Sequence, residues 1–432
     1  MLFDTYDNPF LAQMVQRDVI SNLVSGRGFS INPNDAVAGG SVDPESVKPY
    51  LSYHMPGQAL VIAALFSFTN DQDYVMWPVF CMILDAFCVY LLFFSARRFF
   101  GDKVAVISAF VFALRIPYAA ASTSFLKEAP LTFLGLAIIC CFVEYLWGRK
   151  FIWACFTGAL CGAATYFRSE FFAFVFILCA VSFISILGDD PRDLIDRGYK
   201  RGLRFCVAAL ACFTVLLAPW VMFNLEKHDR LVFTQQVKWP AIWSGFGEMP
   251  NDFGAVNSDT AKLDHARLKG CDGEYRSWEL DDFYKQEVLW VVFNRPLWLM
   301  KLFARRALRA PVLRNYWGIF DTESQEASFR FSGMSAIEYA MKFKKIFIIK
   351  FLGAAENLMF HAIAFIGFLM MMRTEEASIR RPMIWIMPFL FNYIVHIMTA
   401  MDSRYMLWSS TVLIPLFILG IVSIVNIKRA EG

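Results

Sequence analysis

The residues of this chain that can do chemistry are ionisable side chains bordering long apolar runs. Asp4 and Asp7 precede an amphipathic stretch, and Lys127 and Glu128 open an apolar run. Arg168 and Glu170 sit at a short turn between two such runs, and Asp402, Arg404 and Tyr405 open the last one. Charge at membrane depth is costly, so each of these groups is a functional candidate by default. Acids and bases from four distant parts of the chain fall at one edge of the predicted bilayer. That pattern suits a site taking an anionic, membrane-embedded substrate from the outer leaflet.

The elements that must position these groups follow from hydropathy. A span needs roughly 17–25 mainly apolar residues. Runs near 74–95, 104–124, 129–147, 151–167, 170–187, 203–223, 347–372, 382–400 and 405–427 qualify or nearly so, about nine spans in all. Gly57–Thr69 is too short and reads as an interfacial or re-entrant helix. Basic clusters occupy every alternate loop: Arg97, Arg98 and Lys103; Arg149 and Lys150; Arg192 to Arg204; Arg373, Arg380 and Arg381; Lys428 and Arg429. Positive charge marks the cytoplasmic side. The remaining loops then face outward, with every candidate residue among them.

The chain divides accordingly. Residues 1–73 are an extracytoplasmic loop with juxtamembrane helices, and 74–223 a bundle of about six spans. Residues 224–346 form an extracytoplasmic segment, and 347–432 a bundle of about three further spans. Asn8-Pro9 and Gly26-Arg-Gly28 punctuate a surface helix at the start. Met1-Leu-Phe-Asp-Thr-Tyr-Asp7 lacks the basic and apolar regions of a signal peptide. An N-terminus outside then calls for a further membrane helix upstream of Met1. The expected protein is all-α, polytopic and integral to a plasma or inner membrane.

Composition agrees. Hydrophobic residues make up 57% of the 432 and charged residues 18%, below the roughly 25% of soluble domains. A net charge of +3 gives no reason to expect nucleic acid. Most of the ten cysteines lie in apolar runs, and Cys271 has no obvious partner. No Walker loop, dinucleotide glycine motif, HExxH or Gly-x-Ser-x-Gly stands in a productive context.

A series of short motifs runs the length of the chain in order. It begins with an acidic residue ahead of a helix ending in Asn22-Leu-Val-Ser-Gly-Arg-Gly-Phe-Ser30, followed by Tyr53-His-Met-Pro-Gly57 and Ala96-Arg-Arg-Phe-Phe-Gly101. Glu128, Arg168-Ser-Glu170, Ala218-Pro-Trp220 with Asn224, and Asp402-Ser-Arg-Tyr405 complete it. In order and topology this resembles the GT-C glycosyltransferases, in particular glycosyltransferase family 39, the dolichyl-phosphate-mannose-protein mannosyltransferases and bacterial lipid A aminoarabinose transferases.

The resemblance implies a GT-C helical bundle and inverting transfer of a sugar from a polyprenyl-phosphate donor to a lipid, glycan or protein acceptor outside the cytoplasm. It makes an aspartate of the first outer loop the general base. Asp7 is the first choice, because it lies at the helix mouth as the family's aspartate does; Asp4 and Asp18 stand as alternatives, because the family aspartate sits closer to the Gly-x-Gly-Phe element than Asp7 does. Glu128 either orients the base or faces substrate; otherwise it only favours its helix N-terminus. Charge developing on the leaving phosphate requires a guanidinium. Arg404 is the first candidate and Arg168 the second, with Tyr405, Tyr53 and His54 as further donor-binding residues. Arg168 and Glu170 can instead simply pair with each other, and Arg404 can be an interfacial anchor. A divalent metal bridging the phosphate is left open. Asp85, Arg115 and Glu356 fall within spans and are expected to make internal polar contacts without a catalytic role. Trp220 is expected in the interfacial aromatic belt. Residues 242–251 read as a loop suited to acceptor recognition, and 284–308 as a helix whose Arg305, Arg306 and Arg309 lie against lipid phosphates. A transporter, which would carry inverted repeats, and a non-catalytic assembly subunit are the competing readings.

Overall fold

A computed structural model describes residues 19–31, 48–49, 55–69, 75–115, 118–119, 122, 127–148, 150–186, 199–256, 259–273, 277–309, 338, 341–342, 344–373, 380–399 and 406–431. Fourteen helices follow in order: α1 Gly57–Thr69, α2 Met76–Leu114, α3 Glu128–Gly148, α4 Phe151–Thr165, α5 Glu170–Ile186, α6 Tyr199–His228, α7 Trp239–Phe246, α8 Asp259–Leu268, α9 Trp278–Asn294, α10 Pro296–Arg309, α11 Lys344–Arg373, α12 Arg380–Met398, α13 Leu407–Ser410 and α14 Leu413–Glu431. Residues 19–24 are also helical. Strands β1 Ser30–Ile31 and β2 Lys48–Pro49 make one small antiparallel pair.

Five helical stretches are long and apolar enough to cross a membrane: Met76–Leu114, Glu128–Gly148, Tyr199–His228, Phe351–Arg373 and Leu407–Asn426. The protein is integral to a membrane. The expected spans at 151–167, 170–187 and 382–400 appear as shorter apolar helices. The runs at 74–95 and 104–124 share the single helical run α2, broken at Gly101 (φ +78°, ψ 173°) and ending at Leu114. Only glycine adopts that backbone conformation without steric cost. α1 is 13 residues long, or about 20 Å, too short for a hydrocarbon core of about 30 Å.

The chain packs as two compact units. One comprises residues 1–79, 161–173 and 213–302, the other 80–160, 174–212 and 303–432. The second unit is held by close helix crossings. At Gly367 of α11 an added Cβ would stand 1.8 Å from the Leu416 carbonyl oxygen of α14, and at Gly420 2.2 Å from the Ile363 oxygen. At Gly158 of α4 it would stand 1.9 Å from the Ala209 oxygen of α6. In lipid, small residues at crossings let backbones approach where burial of apolar area drives nothing. Gly367→Ala is therefore expected to cost about 1–3 kcal/mol or more through forced separation of α11 and α14. Thermal unfolding of the purified protein reads this, with Gly148→Ala, which meets nothing within 4 Å, as the neutral control.

In the first unit, α7 to α9 and the start of α10 enclose a core of Trp243, Phe246, Ala255, Ala266, Leu280, Tyr284, Val288, Val291 and Leu302. Residues 242–246, expected as loop, belong to helix α7. Pro240 near its start leaves no donor to satisfy there, and buried Asp281 accepts from the backbone N–H of Lys238 and of Trp239, each at 2.8 Å. Burial pushes the Asp281 carboxyl up, and these N–H groups offset that only in part. Asp281→Ala is expected to strip both donors of their partner and destabilise the protein by about 1–3 kcal/mol, read as a lowered Tm. The helix expected over 284–308 is two helices, parted at Arg295 where Pro296 starts the next. Arg306 does not lie against lipid phosphate: it is buried in the second unit and donates to the Ile397 carbonyl at 2.9 Å.

Candidate functional site

Four of the motif segments gather in the first unit. Gly57, which ends Tyr53-His-Met-Pro-Gly57, donates its backbone N–H to the Tyr166 carbonyl at 2.6 Å. A Cβ on Gly57 would lie 2.6 Å from that same oxygen, so the approach requires glycine. Tyr166 in turn donates its hydroxyl to the Leu216 carbonyl at 3.0 Å. This places the Pro-Gly turn beside the hairpin carrying Arg168 and Glu170, and the hairpin beside the Ala218-Pro-Trp220 exit.

Trp220 is not a belt residue. It is buried, donates through Nε1 to Thr234 O at 2.9 Å, and stacks on Phe223 at 5.6 Å. Phe29, from the Gly-Arg-Gly-Phe element, meets Trp220 and Phe223 edge-on at 6.0 and 5.5 Å. Asn224 donates to Trp220 O at 2.7 Å and accepts from Gln236 at 2.9 Å. Gly26 and Gly28 both have φ +76°, and Asn22 donates to Ser30 O at 3.0 Å across them. The motifs thus form one hydrogen-bonded and aromatic junction.

Within it, Arg168 Nη2 pairs with Glu170 Oε2 at 2.9 Å, the two side chains 7% and 6% exposed. Pairing was one of the two expected outcomes for these residues. The α4–α5 turn favours it, because only Ser169 separates the pair and both side chains are buried there.

Glu128 lies in the second unit, 4% exposed, in the first turn of α3. Its Oε2 is buried and has no hydrogen-bond partner among the described residues. Such an acceptor is costly unless something supplies a donor or a positive charge. Asp85 and Glu128 both lie within electrostatic reach of Cys81, so Glu128 is one of two carboxylates near that point.

Also in the second unit, α13 packs against α3. Trp408 fills the space above Gly135, where a Cβ would stand 2.6 Å from its ring. Tyr118 donates to or accepts from Ser410 Oγ at 2.9 Å, and Asn392 donates to Ser409 Oγ at 2.9 Å. Asp4, Asp7, Asp18, Tyr53, His54, Arg404 and Tyr405 lie outside the described residues.

Sequence reasoning gave Arg115 and Glu356 internal contacts, and they form an ion pair at 3.1 Å with Arg115 over the Phe360 ring at 4.1 Å. Both sit mid-sequence in apolar runs, 241 residues apart, so hydropathy marks each and pairs neither. The Arg98–Glu144 pair at 2.9 Å was not foreseen. Among the described residues, no three His, Cys, Asp or Glu gather as ligands for a metal ion.

Residues 49–230 match the family described as dolichyl-phosphate-mannose-protein mannosyltransferase. The apo crystal structure of the oligosaccharyltransferase of Archaeoglobus fulgidus superposes with TM-score 0.50 at 12% identity, over 96% of this chain and 47% of that one. The fold of this chain is therefore similar to that of the archaeal oligosaccharyltransferase. A second structure from A. fulgidus, the oligosaccharyltransferase AglB with an inhibitory peptide and a dolichol-phosphate, gives 0.48 at 13% identity, over 97% and 47% of the two chains. ArnT from Cupriavidus metallidurans bound to undecaprenyl phosphate gives 0.35 at 12%, over 98% and 75%. No curated protein matches in sequence. The chain spans about half the length (47%) of the oligosaccharyltransferase structures it resembles, and the residues matched to the family contain Gly57, Glu128, Arg168 and Trp220.

Proposed function

We propose that this protein is a GT-C glycosyltransferase that moves a sugar from a polyprenyl-phosphate donor to a lipid, glycan or protein acceptor. The observation that carries the reading is the meeting of Gly57, Arg168-Ser-Glu170, Trp220 and the Gly-Arg-Gly-Phe element in one junction, the first three of them inside the stretch that matches mannosyltransferases.

The site faces outside the cytoplasm of a plasma or inner membrane, as the basic loops require. Donor enters laterally from the outer leaflet. The acceptor hydroxyl attacks the sugar's anomeric carbon from the face opposite the phosphate, so configuration inverts. Asp7, or Asp4 in its place, takes the hydroxyl proton as the new carbon–oxygen bond forms. The carbon–oxygen bond to phosphate breaks, and polyprenyl phosphate leaves with the electron pair. Arg404 holds that phosphate, helped by Arg168, with Tyr405, Tyr53 and His54 completing the donor site. Glu128 serves the acceptor side: its unpartnered, buried Oε2 is suited to receive an acceptor or substrate hydroxyl. The phosphate charge is assigned to the arginines, and a divalent metal bridging the phosphate would share that charge.

The test is transfer by purified protein in vesicles holding a polyprenyl-phosphate sugar, with the product's anomeric configuration read by NMR. An inverted linkage, formed only when acceptor is on the side of the non-basic loops, is expected. Retained configuration, or transfer requiring acceptor on the basic side, overturns the reading.

A further inference from the structure

Where α2 breaks at Gly101, beside the C-terminal end of α3, lies a hollow that sugar transfer does not use. The apolar run of α2 gives way to Arg97 and Arg98, and that of α3 to Glu144 and Trp147. The two ends are level, because Arg98 reaches Glu144 Oε1 with Nε at 3.0 Å and Nη2 at 2.9 Å. Phe94, Arg97, Arg98, Gly101, Asp102 and Trp147 line a hollow of about 460 Å³ there.

Its base is rigid. Phe99 packs on Trp147 and on Trp385, each at 5.0 Å, and Phe100 on Trp385 at 5.1 Å. Trp385 is itself pinned by donating to Val412 O at 2.6 Å. The left-handed turn at Gly101 sets the two arginines on one side of Asp102, and an added Cβ would meet nothing within 4 Å. The glycine is therefore there for its backbone conformation and not for crowding.

The charges are matched and directed. Arg98 spends Nε and Nη2 on Glu144, and Arg97 meets Asp102 through Nε. A guanidinium has five N–H donors, so each retains terminal donors for the hollow it lines. Two cations stand against two carboxylates, and Asp102 is 68% exposed. A purely anionic ligand would satisfy the guanidiniums but meet Asp102 with like charge. A phosphate carrying a primary ammonium satisfies both ends, since the ammonium donates to the carboxylate. Exposed Phe87 and Tyr90 continue along α2 into the apolar region, where acyl chains lie.

We propose that this hollow binds the headgroup of a phosphoethanolamine lipid, with phosphate on Arg97 and Arg98 and ammonium on Asp102. The proposal goes beyond sugar transfer and stands without it.

The test titrates the detergent-purified full chain with phosphatidylethanolamine, phosphatidylglycerol or phosphatidylcholine and follows Tm. Phosphatidylethanolamine is expected to half-saturate at roughly tenfold lower concentration than the other two, the value of one charge-assisted hydrogen bond. Arg97→Gln should abolish the response to phosphatidylethanolamine. Asp102→Asn should keep the response but remove the preference over phosphatidylglycerol. Soluble phosphoethanolamine should compete, which separates headgroup recognition from acyl-chain adsorption. Equal responses to the three lipids, an unchanged response in Arg97→Gln, or no competition would each overturn it. Both side chains are more than half exposed, and each variant's unliganded melting curve checks its fold.

Discussion

Asp7→Asn is expected to lower transfer from a polyprenyl-phosphate sugar by about 10²–10⁴-fold, the usual contribution of a positioned proton acceptor to attack by a hydroxyl. Asp4→Asn and Asp18→Asn should leave the rate within a few-fold of wild type if Asp7 is the base. The effect should fall on kcat more than on KM, because the proton moves only in the transition state. Measured rates across pH add a second signature: the acidic limb of the kcat profile should vanish in Asp7→Asn and persist in the other two. Loss confined to Asp4→Asn would move the role to that residue, and full activity in all three would remove the base from this loop.

Glu128→Gln separates two ways in which a buried carboxylate can contribute. Its Oε2 has no partner among the described residues, so amide replacement removes charge while nearly keeping shape. A raised acceptor KM with little change in kcat would mark a binding group. A parallel fall in kcat and kcat/KM would mark a group that acts only at the transition state. The reading given above expects the first.

Much of this architecture is legible in the sequence, because bilayer thickness imposes a length on apolar runs that no propensity overrides. The short run at Gly57–Thr69 is read as too short to span, and helix α1 has those limits. Charge is legible too, though only one residue at a time. Arg115 and Glu356 stand out as charges inside apolar runs, but nothing in linear order says that they meet. Local composition misleads where tertiary contacts decide. Ile242 to Asn251 is rich in Trp, Gly and Pro and reads as loop, yet residues 242–246 belong to a helix that starts at Trp239, where Asp281, over forty residues on, satisfies the first N–H groups. Trp220 looks like a belt residue until its indole is seen to donate inside the protein. An aromatic at a span's end is compatible with both fates, and hydropathy does not distinguish them.

The largest effect on stability is expected at the Arg168–Glu170 pair. Both side chains are over nine-tenths buried and their charges meet at 2.9 Å, so removing one leaves the other charge in a low-dielectric setting. Arg168→Gln alone is expected to destabilise by about 3–5 kcal/mol, whereas Arg168→Gln with Glu170→Gln should cost much less. That double-variant cycle in Tm measures the pair but says nothing yet about donor. Activity measured on the same four proteins does. If Arg168 only braces the α4–α5 turn, the double variant recovers transfer together with stability. If it also holds the leaving phosphate, the double variant is stable while its donor KM stays high, and restoring the carboxylate alone does not help. We expect the second result. The motif's hairpin is fastened to Gly57, in the same stretch as Tyr53 and His54, and a guanidinium is suited to a phosphate. A double variant with wild-type donor KM would confine Arg168 to structure and leave Arg404 as the sole phosphate ligand of the proposed mechanism.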